Sequence, residues 1–225
     1  MATGFRILPS PGRADPALLD RLRALPVSNV SDNMSRCHGA RLKPMHRSGL
    51  MVGTAFTVKT RPGDNLMVHK AIDMAEPGHV IVVDAGGALD QAIIGELMSS
   101  WAKKRGLAGL VIDGAIRDSK AISEGDFPVY AAGVTHRGPY KDGPGELNVV
   151  VSVGGMVVRP GDLIAGDHDG VIAIAPEDAE SVIAAAEAQH RKEMASLQAI
   201  AAGTYDRRWV DEALGTRGCE TMERK

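Results

Sequence analysis

HVIVVDAGGALDQAIIGELMSSWAKKRGLAGLVIDGAIRDS, running from His79 to Ser119, is the stretch whose reading decides the fold. Two apolar, β-branched runs, His79–Asp84 and Leu107–Asp113, read as strands. Between them the loop Ala85-Gly86-Gly87 and the segment Asp90–Arg105 read as a turn and a helix, and Ser119–Glu124 reads as a second, short helix. Such β-α-β-α alternation predicts parallel strands, with ligands gathered at their carboxyl ends. The second strand gives out on Asp113-Gly114-Ala115-Ile116-Arg117-Asp118, which delivers a cation and an anion side by side to one fixed point.

The punctuation on either side extends this pattern. Asp15-Pro16 opens a short helix, since an Asp cap followed by Pro suits the unpaired amides of a helix start, and Pro26 stops it. A second short helix is predicted from Ser28–Asp32 to near Gly39, a strand over Met51–Thr60, and a helix capped at Asp64 or Asn65 that ends at Pro77-Gly78. After Pro128 come short strands separated by Gly-Pro turns, with Asp169-Gly170 as a hairpin signal. Pro176–Ala202 reads as one long amphipathic helix. The expected organisation is a single domain over 1–225, with 15–202 as folded core and 203–225 as a polar C-terminal tail.

Composition removes several function classes. With 26 basic and 28 acidic side chains, the formal charge of -2 gives no footprint for nucleic acid and no polybasic signal for anionic lipid. Two cysteines, Cys37 and Cys219, form no Cys-x-x-Cys pair, so neither a disulfide framework nor a zinc cluster is expected. No apolar run is long enough to span a bilayer, and the first ten residues lack the apolar centre of a secretion signal. A cytoplasmic protein with no membrane or nucleic-acid partner is the expectation.

The chemistry concentrates at the two strand ends. Backbone N–H groups around Gly95, Glu96, Leu97 and Met98, at a helix start or break, suit a carboxylate. Arg117 can fork onto the same anion. Asp118 is an oxygen ligand for a hard divalent cation that keeps most of its water. Each feature has an ordinary reading as well. An Arg-Asp pair at a strand end is commonly an exposed ion pair or cap, Glu96 a solvated helix residue, and Gly86-Gly87 too incomplete for a dinucleotide fingerprint. His136-Arg137-Gly138-Pro139-Tyr140 with Lys141 reads as a turn rather than a pocket wall. In the Asp167-His168-Asp169 hairpin, neighbouring side chains alternate faces. His38, His46, His69, His79 and His190 share no ligand spacing, Trp101 reads as core or interface, and Lys103 and Lys104 lie on a polar helix face.

The segments GELMSSWAKKRGLAGLVIDGAIRDS, RPGDNLMVHKAI and RGPYKDGPGELNVVVSVGGMVVRPGDLIAGDHDGVIAI occur in order, and over Val27–Ala202 the chain resembles a known family. That family includes 4-hydroxy-4-methyl-2-oxoglutarate aldolase, 4-carboxy-4-hydroxy-2-oxoadipate aldolase and the ribonuclease E activity regulator A. The resemblance implies an α/β swivelling-domain fold: an α/β/β/α sandwich with mixed sheets and a long C-terminal helix. It also implies a homotrimer or a pair of trimers with sites between subunits. Its aldolases carry an acidic residue, a spacer of twenty, then Arg-Asp; here these are Glu96, where those aldolases have Asp, and Arg117-Asp118.

Carried over, the resemblance makes Asp118 the direct ligand of Mg²⁺ or Mn²⁺ and gives Glu96 the metal-bound water. Arg117 would bind the 2-oxo acid, the backbone of Gly95–Met98 its carboxylate, and Glu187 or Glu193 of a neighbouring subunit would join the site. The implied reaction breaks the C3–C4 bond of a 4-hydroxy-2-oxo acid, releasing pyruvate, while a metal-held or Glu96-held water takes the 4-hydroxyl proton. Oxaloacetate decarboxylation passes through the same enolate. Two other readings are a non-catalytic protein that regulates a ribonuclease by contact, and a methyltransferase, which has only the Gly86-Gly87 turn behind it.

Overall fold

The computed structural model describes residues 3–47, 49–220 and 222. In chain order its first elements are β1 (Phe5–Ile7), α1 (Pro16–Arg23), α2 (Val27–Asp32), β2 (Lys43–Pro44), β3 (Met51–Thr60) and α3 (Leu66–Met74). They continue with β4 (His79–Ile94), α4 (Glu96–Lys104), β5 (Gly109–Ile116), α5 (Ser119–Glu124) and β6 (Val129–Val134). The remainder are β7 (Gly145–Leu147), β8 (Val151–Val153), β9 (Met156–Val158), β10 (Leu163–Gly166), β11 (Val171–Ile174), α6 (Pro176–Ala201) and α7 (Arg208–Thr216). Backbone contacts group Met1–Glu187 and Ala188–Lys225 as two compact units, and the site lies in the first. No helix among the described residues is long and apolar enough to cross a membrane.

Period-two alternation sorts the core into layers, because successive strand side chains face opposite ways. Phe56, Val58, Ile81, Val83, Leu110, Ile112, Val129 and Ala131 pack with α3, α4 and α5. Their alternates Ala55, Val80, Val82, Val111 and Tyr130 pack on the hairpin β8–β9 and on Ile164, Val171 and Ala173. The other faces of β10 and β11, through Leu163, Ala165, Ile172 and Ile174, cover α1, α2 and the start of α6. The result is the α/β/β/α sandwich. Leu110, Ile112 and Ile116 of β5 are fully buried, and each stabilises the sheet by roughly 1.5–3 kcal/mol.

Strands β3, β4, β5 and β6 run parallel, while β10 and β7 pair antiparallel with the two ends of β3, so the sheet is mixed. The start of α1 is built as its sequence reads, with the Asp15 carboxylate accepting the Ala17 N–H at 2.9 Å and Pro16 at the first helical position. Asp167 and Gly170 close the β10–β11 hairpin.

Two expectations are corrected. The helix expected from Asp90 begins at Glu96, because β4 runs on to Ile94. Gly86 and Gly87, at φ +69° and +68°, carry a bulged stretch, after which Ala92 and Ile94 rejoin Ala115 and Ile116 of β5. A short apolar run such as Ala92–Ile94 fits either period, and here strand pairing wins over helix propensity. The second correction concerns the polar stretch after Gly203, which contains α7; Trp209, Val210, Ala213 and Leu214 give it helical spacing, although none of its residues is buried.

Candidate active site

The run-on of β4 brings the start of α4 alongside the exit of β5. Arg117 donates its backbone N–H to the Ile94 carbonyl at 3.0 Å, which ties the two strand ends together. Asp118 then takes the left-handed conformation, φ +54°. Asp tolerates this region better than most residues, and the turn points its carboxylate back across the gap. Its Oδ2 accepts the Glu96 N–H at 2.9 Å, one of the orphan amides of the α4 start. Arg117 Nε lies 3.7 Å from the same oxygen. With both side chains about 40% exposed, an ion pair of that length contributes little, so the backbone bond fixes the carboxylate. Among the described residues nothing donates to Asp118 Oδ1.

Gly95 makes this approach possible. A Cβ built there would overlap Asp118 Oδ2 and sit 2.9 Å from Arg117 Cγ. Gly138 approaches Arg117 from the other side, its own notional Cβ 3.4 Å from Nη1.

Arg117, Asp118 and Gly95 open onto a cleft of about 120 Å³ that Ile93, Ile94, Leu97 and Met98 also line. Asn65, His69, Pro139 and Lys141 complete it. Asn65 is 2% exposed; its Nδ2 donates to the Ile93 carbonyl at 2.9 Å and to Met98 Sδ at 3.2 Å, holding α3 against both neighbouring elements. His69 follows one helical turn later on the same face of α3. Burial, and then the charge of Lys141, lower the imidazole pKa, against a smaller opposing pull from Asp73. A more open hollow of about 620 Å³, lined by Lys120, Thr135 and His136, adjoins the other flank of Arg117 and Asp118.

Lys141 reaches the cleft because Asp64, fully buried, captures its loop. Asp64 Oδ2 accepts the backbone N–H groups of Asp142 and Gly143 at 2.8 and 2.9 Å, and Oδ1 accepts that of Leu66 at 3.0 Å. Burial pushes the carboxyl pKa up, but these three amides and Arg61 outweigh it, and the net shift is downward from 3.8. A carboxylate whose folded pKa is depressed stabilises the fold fully above its unfolded value, and that contribution disappears as pH falls through the lower folded value. Asp64→Ala is therefore expected to cost about 3 kcal/mol at neutral pH, by stranding buried donors. The difference from the parent should shrink below pH 3.8, as denaturant titrations at several pH values will measure.

Of the residues singled out in the sequence, the cleft gathers Gly95, Leu97, Met98, Arg117 and Asp118. Glu96 contributes its N–H to Asp118, while its exposed carboxylate stands outside the cleft lining. Glu187 is held by Arg21 Nε at 2.8 Å, and Glu193 accepts from Gln189 at 2.9 Å. Among the described residues no group of three or more His, Cys, Asp or Glu side chains is placed to hold a metal ion. The donors available, Asp118 and Glu96, are oxygen only, and one Asp118 oxygen remains unbonded. That set fits a hard cation such as Mg²⁺, which takes one or two carboxylates and keeps its water.

Asn65, His69, Pro139 and Lys141 belong to the cleft although sequence reasoning passed over His69 and read the Pro139–Lys141 stretch as a turn. The spacing of Asn65 and His69 on one helical face was the available signal.

A family model described as RraA-like, Aldolase/RraA, matches residues 27–173. The chain belongs to the RraA-like family. The matched stretch contains every residue of the cleft. A relative from Halalkalibacterium halodurans, named "Putative 4-hydroxy-4-methyl-2-oxoglutarate aldolase", is 39% identical over 190 residues, covering 84% of this chain and 90% of its own. A crystal structure of an uncharacterized protein from Pseudomonas syringae superposes with TM-score 0.77 at 25% identity, covering 85% of this chain and 96% of that one. An unusual member of the RNase ES inhibitor RraA family from Streptomyces coelicolor shares the fold, with TM-score 0.75 at 24% identity over 82% of this chain and 98% of its own. Aldolase naming and regulator naming thus both occur on this RraA-like architecture.

Proposed function

We propose that this RraA-like chain is a divalent-cation-dependent aldolase. Its substrate would be a 4-hydroxy-2-oxo dicarboxylic or tricarboxylic acid of the 4-hydroxy-4-methyl-2-oxoglutarate type, cleaved to pyruvate and a second keto acid, with oxaloacetate decarboxylation as a second activity. The observation that carries this reading is the joint presentation of Arg117 and Asp118 against the Gly95–Glu96 backbone in one small cleft. The name of the Halalkalibacterium relative supports it.

Asp118 would hold the cation, Mg²⁺ or Mn²⁺, and Glu96 would steady its water from outside the cleft lining. When bound, the cation supplies Lewis-acid stabilisation of the negative charge that develops on the keto oxygen. Arg117 and the amides of Gly95–Met98 grip the substrate carboxylate, which orients the C3–C4 bond and adds positive charge placed in advance of the reaction. The 120 Å³ cleft has room for a pyruvyl unit, and the hollow beside Lys120 and His136 receives the part that leaves. We place the protein in the cytoplasm as a homotrimer or hexamer, in which an acid from a neighbouring C-terminal helix can approach the site.

Coupled-assay measurement of pyruvate from oxaloacetate and from 4-hydroxy-4-methyl-2-oxoglutarate tests this. Release is expected with Mg²⁺ or Mn²⁺ and its loss with EDTA, restored by excess cation. No release with either cation, together with tight metal-independent binding of a ribonuclease, would replace the aldolase by a regulator.

A further inference from the structure

A hollow of about 610 Å³ lies between the loop after α2, the β8–β9 hairpin, β11 and the first turns of α6, and it shares no residue with the cleft of Arg117 and Asp118. All of it belongs to the Met1–Glu187 unit. Met34, Met156, Ile174 and Val182 give it apolar walls. Its charge is acidic: Asp162, Glu177 and Asp178 line it, and the guanidinium of Arg159 is already paired with Glu177 at 3.2 Å.

Exposed acids are ordinary, and what sets this hollow apart is Asp162. It follows the Pro160-Gly161 turn that leads into β10 and is 5% exposed. Its Oδ2 accepts the Arg159 N–H at 2.8 Å, which closes the turn. Its Oδ1 is buried with no hydrogen-bond partner among the described residues. A carboxyl oxygen that has lost its water and gained no donor is uncommon in a folded protein. Burial, with a smaller push from Glu177, raises the carboxyl pKa above 3.8 against the Arg159 amide and guanidinium. A cation brought to Asp162 would answer both features.

The lining decides the class of cation. Among the described residues no three His, Cys, Asp or Glu side chains are placed to hold a metal ion, so these acids do not converge as a cage. An organic ammonium needs only one carboxylate, and it carries three donors on a stem that can lie along Met34, Met156 and Val182. We infer that this hollow is a binding site for a primary alkylammonium held by Asp162. The inference is independent of the aldolase reading. Arg36 and Arg41 line an adjoining hollow of about 500 Å³ that shares Cys37, His38, Gly39 and Gly155 with this one. The far end of the stem therefore has two chemistries open to it, a second ammonium against the exposed Asp178 or a carboxylate against Arg41.

Isothermal titration calorimetry of the full chain at low ionic strength tests this with 1,4-diaminobutane, 6-aminohexanoate and the uncharged 1,4-butanediol. Binding of at least one of the two amines, and none of the diol, is expected. Tighter binding of the diamine assigns the far end to Asp178 and tighter binding of the amino acid assigns it to Arg41, and both support an ammonium site. Asp162→Asn keeps an oxygen for the Arg159 N–H while removing the charge, and is expected to weaken amine binding by about tenfold or more. Ser181→Lys, at an exposed position of α6 that lines the hollow, supplies a competing ammonium and is expected to weaken binding comparably. Failure of both amines to bind the parent, diol binding as tight as theirs, or parental amine affinity in Asp162→Asn overturns the inference. Should that variant fail to fold, parental affinity in Ser181→Lys overturns it instead.

Discussion

Asp118→Asn is expected to reduce cation-dependent pyruvate release by about 10³-fold while leaving the melting temperature within a few degrees of the parent. The substitution is chosen for its physics. Asn tolerates the left-handed conformation that Asp118 adopts at φ +54°, and its amide oxygen can still accept the Glu96 N–H. What it removes is the negative charge and an oxygen able to bind a hard cation. Alanine would add backbone strain at the same position and blur the result. Steady-state rates with oxaloacetate at saturating Mn²⁺, alongside thermal unfolding, separate the two effects. An Asn variant with parental rates would mean that the carboxylate caps α4 and does nothing else.

Gly95→Ala carries the second large effect. Its Cβ has no space, because Asp118 Oδ2 and Arg117 Cγ already occupy the position. Backbone conformation is not the obstacle, since Gly95 is extended, at φ -147° and ψ -165°, which alanine adopts readily. The variant should therefore fold, at a cost of about 1–3 kcal/mol, with Arg117 and Asp118 pushed off their places. Misplacement of catalytic groups by about 1 Å costs on the order of 10²-fold in rate. Expected in kinetics is a fall of that size in kcat for both aldol cleavage and decarboxylation, since both depend on the same pair. A fall confined to one of them would show that the crowding at Gly95 does not govern the Arg117–Asp118 geometry.

The parallel strands and the helix cap at Asp15 were legible because each is written in contiguous residues, with period two in β4 and β5 and an Asp-Pro start in α1. The Arg117-Asp118 end was legible for the same reason, since a buried strand delivers its next two residues to one place. The start of α4 was not. Gln91–Ile94 satisfies helix and strand patterns alike, and the bulge at Gly86-Gly87 that lets the chain return to β5 reads locally as a loop. The far wall of the cleft was hidden for another reason. Lys141 is positioned by the bonds that Asp142 and Gly143 donate to Asp64, across 78 and 79 residues that include β4, β5 and β6. His69 enters the site through packing of α3 on α4, and its only local mark is the four-residue spacing that sets it on the same helical face as Asn65.

The pair at the end of β5 is most directly tested by binding, without turnover. Mn²⁺ titrated into the parent protein by electron paramagnetic resonance should bind, and bind more tightly when pyruvate is present, because one cleft holds both. Asp118→Asn should lose the ion with and without pyruvate. Equal Mn²⁺ affinity in parent and variant, or an affinity in the parent that pyruvate leaves unchanged, would contradict a shared cation and keto-acid clamp at Arg117 and Asp118.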